Sequence, residues 1–180
     1  ELSPADFHYE SSPRRISTQY SAERHSHHTR TGHLTMLLKI RIALSVIVGF
    51  FVGSLVNMLI VGAGPSIIPL PPGSDTTTLE KLRESVGNYE AKHFAFPLLA
   101  HALGTLAGSA VAARFAGPGL LTAAIVVGVL FLAGGIAMDY LVRGPTWYRI
   151  TDLTLCYLPM TLIACGLEYN GRRRRSRRGR

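Results

Sequence analysis

Long stretches without a charged residue constrain this chain more than any other feature. Four such runs, each mainly apolar, follow one another along the sequence: residues 42–63, 94–113, 115–138 and 153–167. A charged side chain at the bilayer centre costs at least about 2.5 kcal/mol, so membrane spans avoid Asp, Glu, Lys and Arg. The first three runs can cross a hydrocarbon core of about 30 Å at about 1.5 Å per residue. The fourth reaches that length when residues 150–152 are added.

These runs predict an all-α fold, a polytopic membrane four-helix bundle with short loops. The predicted membrane domain covers residues 36–170, with spans at about 40–63, 94–114, 118–141 and 150–168. For the fourth span, a buried or re-entrant segment is the alternative. A cleaved signal peptide is the competing interpretation of the first, but its apolar stretch exceeds the 7–15 residues of such peptides. Only 17% of the residues are charged, against about a quarter in soluble domains.

The N-terminal segment, residues 1–35, has a different composition from the rest. It is rich in Ser, His and Arg and shows neither a helical nor a strand period. Such a segment cannot bury enough apolar surface to fold, so we expect it to be disordered. The first methionine is Met36, directly before a short basic stretch and the first span. Residues 1–35 are therefore expected to be either a cytoplasmic extension or upstream sequence that the native protein lacks.

The positive charge is concentrated at the C-terminus. The net charge is +8, and the tail of residues 171–180 carries seven arginines and no acid: Arg172, Arg173, Arg174, Arg175, Arg177, Arg178 and Arg180. Each basic residue near an anionic lipid surface contributes about 1 kcal/mol, so we predict that the tail contacts lipid headgroups. Nucleic-acid phosphates are the disfavoured alternative, because no aromatic residues are interleaved to stack on bases.

The distribution of Lys and Arg also predicts the orientation. Lys39 and Arg41, then Arg114, then the tail all fall on one side of a four-span chain. The positive-inside rule makes that side cytoplasmic and places both termini there. We expect a bacterial inner membrane, with an organellar membrane as the alternative.

The one long loop lies on the opposite, outer side. Thr77 followed by Glu80 matches a capping box, and apolar residues then recur every three or four positions. This pattern predicts a short amphipathic helix over about 77–92. It would lie on the outer membrane surface or fold over the bundle.

Small residues at four-residue spacing mark helix-packing faces in the first two spans. They are Gly49 and Gly53 in the first, and Gly104, Gly108 and Ala112 in the second. Glycines allow the close backbone approach that drives helix association in lipid. Packing within the bundle is the first interpretation, and contact with a second copy or a partner subunit is the alternative.

Five polar residues form the candidate intramembrane site. Counted from the span centres, they fall in or near the outer half of the bilayer: Asn57, His101, Thr105, Asp139 and Asp152. An ionisable residue near the midplane, as His101 would be, indicates a ligand or proton site by default. The competing interpretation is that these side chains only form structural hydrogen bonds between helices.

No motif of a known catalytic or cofactor site is present. There is no Walker loop, dinucleotide fingerprint, nucleophile elbow or zinc-ligand spacing, and two cysteines form no disulfide framework. We therefore predict neither an enzyme nor a cofactor or metal.

Four segments carry a family resemblance. They are Lys-Ile-Arg-Ile-Ala-Leu-Ser-Val-Ile-Val-Gly at 39–49, Pro-Pro-Gly-Ser-Asp-Thr-Thr-Thr-Leu-Glu at 71–80, Glu-Ala-Lys-His-Phe at 90–94 and Ala-His-Ala-Leu-Gly-Thr at 100–105. In these segments the chain resembles a widespread group of small bacterial four-span membrane proteins without an assigned activity. The resemblance implies the fold and no activity.

Two functions remain open at this point. The first is a non-catalytic accessory or assembly subunit that packs within a membrane complex or a homo-oligomer through its glycine faces. The second is a small ion- or proton-coupled carrier with an outward-facing polar site around His101. A membrane enzyme is the least favoured.

Overall fold

The computed structural model describes the backbone of residues 13–179 and the side chains of residues 35–179. Within this part of the chain the backbone is helical and contains no strand, which confirms the all-α class. Six α-helices follow in order: α1 (Pro13–Ile67), α2 (Leu79–Ser85), α3 (Ala95–Ala116), α4 (Leu120–Val142), α5 (Thr146–Leu155) and α6 (Leu158–Arg178). The chain divides into two compact units, Glu1–Leu37 and Leu38–Arg180, and the packing below belongs to the second.

Within the described residues, three segments are long and apolar enough to cross a membrane. They are Thr35–Ile67, Ala91–Val142 and Thr146–Arg178. The second contains both α3 and α4, which fold back on each other at a short turn, Gly117–Gly119. Gly117 has a φ of 64°, a conformation that glycine adopts without strain, and the following Pro118 cannot extend α3.

The first helix is longer than the predicted span. It runs from Pro13, whereas the sequence predicts no regular structure over residues 1–35. For residues 13–34 only the helical backbone is described, and residues 1–12 lie outside the described part of the chain.

The fourth predicted span, about 150–168, is divided into two helices. α5 ends at Leu155, and α6 begins at Leu158 with Pro159 in its first turn. Proline has no backbone N–H to bond to the carbonyl four residues earlier, and its ring crowds that carbonyl. The helix therefore breaks at Cys156 and Tyr157, and the Tyr157 side chain turns inward, where it is 1% exposed.

The main helices lie side by side with alternating direction. Gly49 of α1 lies against Gly108 of α3, while Gly53 lies against Gly104, so these two helices are antiparallel. α3 and α6 are parallel: Ser109 meets Thr161, and Ala113 meets Cys165 further along. α4 is antiparallel to both. Ala124 lies near Cys165, and Gly135, further along α4, lies against Tyr157, which directly precedes α6. We call the part of α1 from residue 38, together with α3, α4 and α6, the bundle.

The contact between α1 and α3 is a contact between backbones. A Cβ atom placed on Gly49 would lie 2.5 Å from the Gly108 carbonyl oxygen, and one on Gly53 would lie 2.6 Å from that of Gly104. Conversely, a Cβ on Gly104 would lie 2.9 Å from the Gly53 carbonyl oxygen. Ala112, the fifth predicted packing residue, lies against Gly49. No side chain larger than hydrogen fits at these glycines without a shift of the helices.

The bundle has large apolar side chains on its outside and small or polar side chains in its interior. Large apolar side chains such as Phe51 and Met58 are 68% and 70% exposed. The buried positions are mainly alanines, with Ser45, Thr105, Ser109 and Thr161 between them. A water-soluble fold shows the opposite distribution, with Leu, Ile and Phe inside. Small residues at helix contacts and apolar side chains outside are typical of helices packed in lipid.

The loop helix is shorter than the predicted range of about 77–92, and its N-cap lies one residue after Thr77. α2 covers Leu79–Ser85, and its N-cap is Thr78, whose hydroxyl accepts the Lys81 N–H at 3.2 Å. Thr77 makes other hydrogen bonds, because its N–H and its hydroxyl both donate to Asp75. The α-helix ends before Gly87 and Asn88, which are poor helix formers, and a 3₁₀ turn follows.

Two glycines of α1 provide a matched test of the α1–α3 contact. Gly49→Ala places a methyl group against the Gly108 carbonyl, so we expect a loss of about 1–3 kcal/mol of stability from overpacking. At Gly62 a Cβ meets nothing within 4 Å, so Gly62→Ala should be neutral or stabilise the helix by about 0.5–1 kcal/mol. Thermal unfolding of both variants in detergent measures this, and equal stability would contradict the contact.

Candidate functional site

A histidine, an aspartate and a tyrosine from different helices form one hydrogen-bonded group inside the second unit. His101 Nδ1 lies 2.8 Å from Asp152 Oδ1, and the Tyr157 hydroxyl donates to Asp152 Oδ2 at 2.8 Å. The same hydroxyl lies 3.0 Å from His101 Nδ1. We call these three residues the triad. α3 supplies the histidine, α5 the aspartate, and the break between α5 and α6 directs the tyrosine toward both.

The triad provides hydrogen bonds to a carboxylate that is almost completely buried. Asp152 is 3% exposed, and removing an ion from water without partners costs several kcal/mol. A carboxylate only accepts hydrogen bonds, so it takes one from the Tyr157 hydroxyl and one from the His101 ring. Two charge-assisted hydrogen bonds therefore hold Asp152 within the bundle.

An ionised Asp152 determines which ring nitrogen of His101 carries the proton. Nδ1 must donate to Asp152, so in the neutral ring Nε2 keeps its lone pair. No hydrogen bond to Nε2 is found among the described residues. The site therefore presents one oriented base, which can accept a proton or a hydrogen bond.

A cavity of about 160 Å³ lies beside the triad. His101 and Asp152 form part of its wall, together with Asp139 of α4 and apolar and aromatic side chains. Leu82 and Val86, from α2 and the turn after it, form another part of the wall. The chain between α1 and α3, residues 68–94, which we call the loop segment, therefore packs over the bundle beside the polar residues.

His93 holds the loop segment in place through two hydrogen bonds. It is buried, its Nδ1 accepts the Glu90 N–H at 2.9 Å, and its Nε2 donates to the Pro69 carbonyl at 3.2 Å. From the sequence, His93 and Glu90 are expected at the surface, with a widening of the polar site as the alternative. The structure buries His93 and places it in the cavity wall. Its spacing of four from Tyr89 on the apolar stripe is the signal for burial.

The structure brings together three of the five predicted polar residues. His101, Asp139 and Asp152 all border the cavity. Asn57 lies against Gly104 at the α1–α3 contact instead. Thr105 donates to the His101 backbone carbonyl at 2.7 Å, so it forms a hydrogen bond within α3.

Tyr157 is absent from the predicted set. In a continuous helix it would be one aromatic residue of an apolar span. The available signal is Pro159, because a proline in a span leaves unpaired carbonyls and redirects the side chains before it. Asp139 has a partner that the sequence also leaves unassigned, since Arg149 Nε donates to its Oδ1.

One arginine of the tail bonds to another helix of the protein. Arg172 donates to the Gly117 and Ala113 carbonyl oxygens at 2.6 and 2.7 Å, so it caps the C-terminus of α3. Helix C-termini leave carbonyls unpaired and carry a partial negative charge, which favours a cation there. Arg173, Arg174, Arg175, Arg177 and Arg178 are exposed, and Arg180 lies outside the described residues.

Among residues 35–179, no three His, Cys, Asp or Glu side chains gather in a way that could hold a metal ion. Cys156 and Cys165 are free and buried.

No protein-family model, curated protein or solved structure matches this chain. The resemblance to small bacterial four-span proteins stays a prediction.

Removing the tyrosine hydroxyl tests the triad. Tyr157→Phe leaves one oxygen of a buried carboxylate without a donor, so we expect a loss of about 1–3 kcal/mol of stability. Tyr140→Phe removes the same atom from a side chain that is 72% exposed and should change stability little. Chemical or thermal unfolding in detergent measures both, and equal effects would contradict a role for the hydroxyl.

Asp75 provides a pH test of the loop segment. Hydrogen bonds from Lys81 and Thr77 hold the pKa of Asp75 well below its ordinary value of 3.8. A lowered pKa means that the carboxylate stabilises the folded loop fully above about pH 3.8 and loses this effect as the pH falls through the folded value. The Thr77 amide resonance should therefore titrate with a midpoint below 3.8, and this titration should vanish in Asp75→Asn. A midpoint at or above 3.8 would contradict the pairing.

Proposed function

We propose that this protein is a small membrane carrier that binds and moves protons at the His101–Asp152–Tyr157 triad. The observation that carries the proposal is a buried carboxylate that orients a histidine whose second nitrogen is free, beside a cavity. An ionisable group buried among apolar helices is costly to keep, and proton and ion pathways are its usual use.

Four membrane crossings fit the packing. The segment Ala91–Val142 has 52 residues, about 78 Å as a straight helix, whereas one crossing needs about 30 Å. It reverses at Gly117–Gly119, so we count α3 and α4 as two crossings. With α1 and the α5–α6 pair this makes four, and we propose that α2 covers the outer end.

Basic residues at one end support the proposed orientation. Arg41 donates to the Phe115 carbonyl, and Arg172 donates to the Gly117 carbonyl, so both lie at the α3–α4 turn. Arg114 and the described tail arginines up to Arg178 belong to the same end. By the positive-inside rule this end is cytoplasmic, and the triad lies toward the outside. A bacterial inner membrane remains the proposed location, with an organellar membrane as the alternative.

The division of roles within the triad follows from its hydrogen bonds. His101 Nε2 accepts the proton, and the resulting imidazolium is stabilised by the neighbouring carboxylate. Asp152 and Tyr157 are positioning residues, because they hold the ring and its tautomer. Release of the proton on the other side of the membrane requires a rearrangement of the helices around the cavity, as in alternating access.

A second candidate is the accessory subunit that the glycine pattern suggests. Gly49, Gly53, Gly104 and Gly108 are used within the chain, which weakens the argument for an external partner there. Gly134 and Gly166, however, face outward with nothing within 4 Å of a Cβ position. These two positions favour a second copy or another membrane protein, and copurification in mild detergent would identify such a partner.

Proton flux tests the proposed function. Proteoliposomes with an internal pH dye and an imposed pH gradient should acidify at least tenfold more slowly with His101→Gln than with the unaltered protein. His33→Gln changes a histidine of the N-terminal segment and should leave the flux unchanged. Equal flux for both variants, or no flux above empty liposomes for the unaltered protein, would overturn the proposal.

A further inference from the structure

We propose that the cavity beside the triad binds a small organic cation, a short-chain primary alkylammonium. This inference rests on the proposed function, since it names the solute class that the same site would take. Cavity size, wall charge, hydrogen-bonding groups and aromatic walls each contribute one step.

The cavity volume limits the ligand to a few atoms. A cavity of about 150 Å³ in a helical protein accommodates benzene, which has six non-hydrogen atoms. The volume of about 160 Å³ beside His101 therefore suits a molecule of about this size. Larger solutes would require the loop segment to move.

The wall carries acidic groups and no permanent positive charge. Asp139 and Asp152 border the cavity, and neither Lys nor Arg does. The titratable groups that also face it are His93, His101 and two tyrosines, Tyr89 and Tyr148. Arg149 pairs with Asp139 Oδ1 but is not part of the wall. A carboxylate ligand would face two aspartates, so the wall discriminates against anions.

Two acceptors on the acidic and imidazole side chains of the wall have no donor among the described residues, and the buried Tyr89 hydroxyl has no hydrogen-bond partner there either. One is His101 Nε2, because Nδ1 makes both ring contacts. The other is Asp139 Oδ2, because Arg149 bonds Oδ1. A ligand that fits these groups must bring donors, and a primary ammonium brings three N–H groups.

Aromatic and apolar side chains complete the wall. The rings of Tyr89, Phe94 and Tyr148 border the cavity, and Tyr148 packs on Phe94 with ring centroids 4.7 Å apart. Aromatic faces attract cations, with more effect where water is excluded. Val86 and Val142 offer apolar surface to a short alkyl chain.

Calorimetric titration of the full-length protein in detergent, with three probes of similar size, tests the inference. The probes are n-butylammonium, n-butanol and butyrate, and the heat of partition into empty micelles is subtracted from each. We expect butylammonium to bind at least tenfold more tightly than butanol, and butyrate to show no binding. Equal binding of the amine and the alcohol, or tighter binding of butyrate, would overturn the inference.

A matched pair of acid-to-amide variants locates the site. Asp139→Asn should weaken butylammonium binding at least tenfold, because it removes the charge from the cavity wall. Glu84→Gln makes the same change on an exposed part of α2 and should leave binding unchanged. Equal effects of the two variants would show that the amine binds elsewhere and would overturn the inference.

The inference and the proposed function fail in different ways. If proton flux depends on His101 but no amine binds, the ligand class is wrong and the carrier function stands. If butylammonium binds as expected but proteoliposomes show no flux, the cavity is a binding site and the carrier function is wrong.

Discussion

A carboxylate buried among apolar helices must be given hydrogen-bond donors, and this requirement organises the structure. Asp152 takes its donors from His101 on α3 and from Tyr157 at the α5–α6 break. The two contacts set the register between α3 and the last two helices. The close glycine contacts set the register between α1 and α3. With these registers determined, α4 fits between α3 and α6 through alanines and Gly128.

The two ends of the bundle have different chemistry. At one end, arginines neutralise the carbonyls that end α3, which suits an end facing anionic lipid headgroups. At the other, a loop segment held by His93 and Asp75 covers a cavity with an acidic wall. A site of this kind, bordered by a loop at one end of the bundle and by helices elsewhere, is suited to a small solute that loses water on binding.

Hydropathy and spacing predicted a large part of the fold. Uncharged runs showed where the helices lie, because lipid excludes charge over the length of a span. The glycine spacing identified the residues of the α1–α3 contact, although it could not show which partner faces them. His101 and Asp152 were predicted from depth alone, since residues at equal depth on neighbouring spans can meet.

The remaining features depend on geometry that composition does not encode. The α5–α6 break depends on how neighbouring helices satisfy the carbonyls freed by Pro159, and it decides the position of Tyr157. Arg172 lies in a run of equivalent arginines, and only the helix end beside it distinguishes it from the rest. The N-cap is Thr78 and not the predicted Thr77, whose hydroxyl donates to Asp75.

The most direct test of these conclusions is the tautomer of His101, measured from its ring ¹⁵N chemical shifts in the folded protein near neutral pH. For the neutral ring we predict a proton on Nδ1 and none on Nε2; a ring protonated at Nε2 only would contradict this.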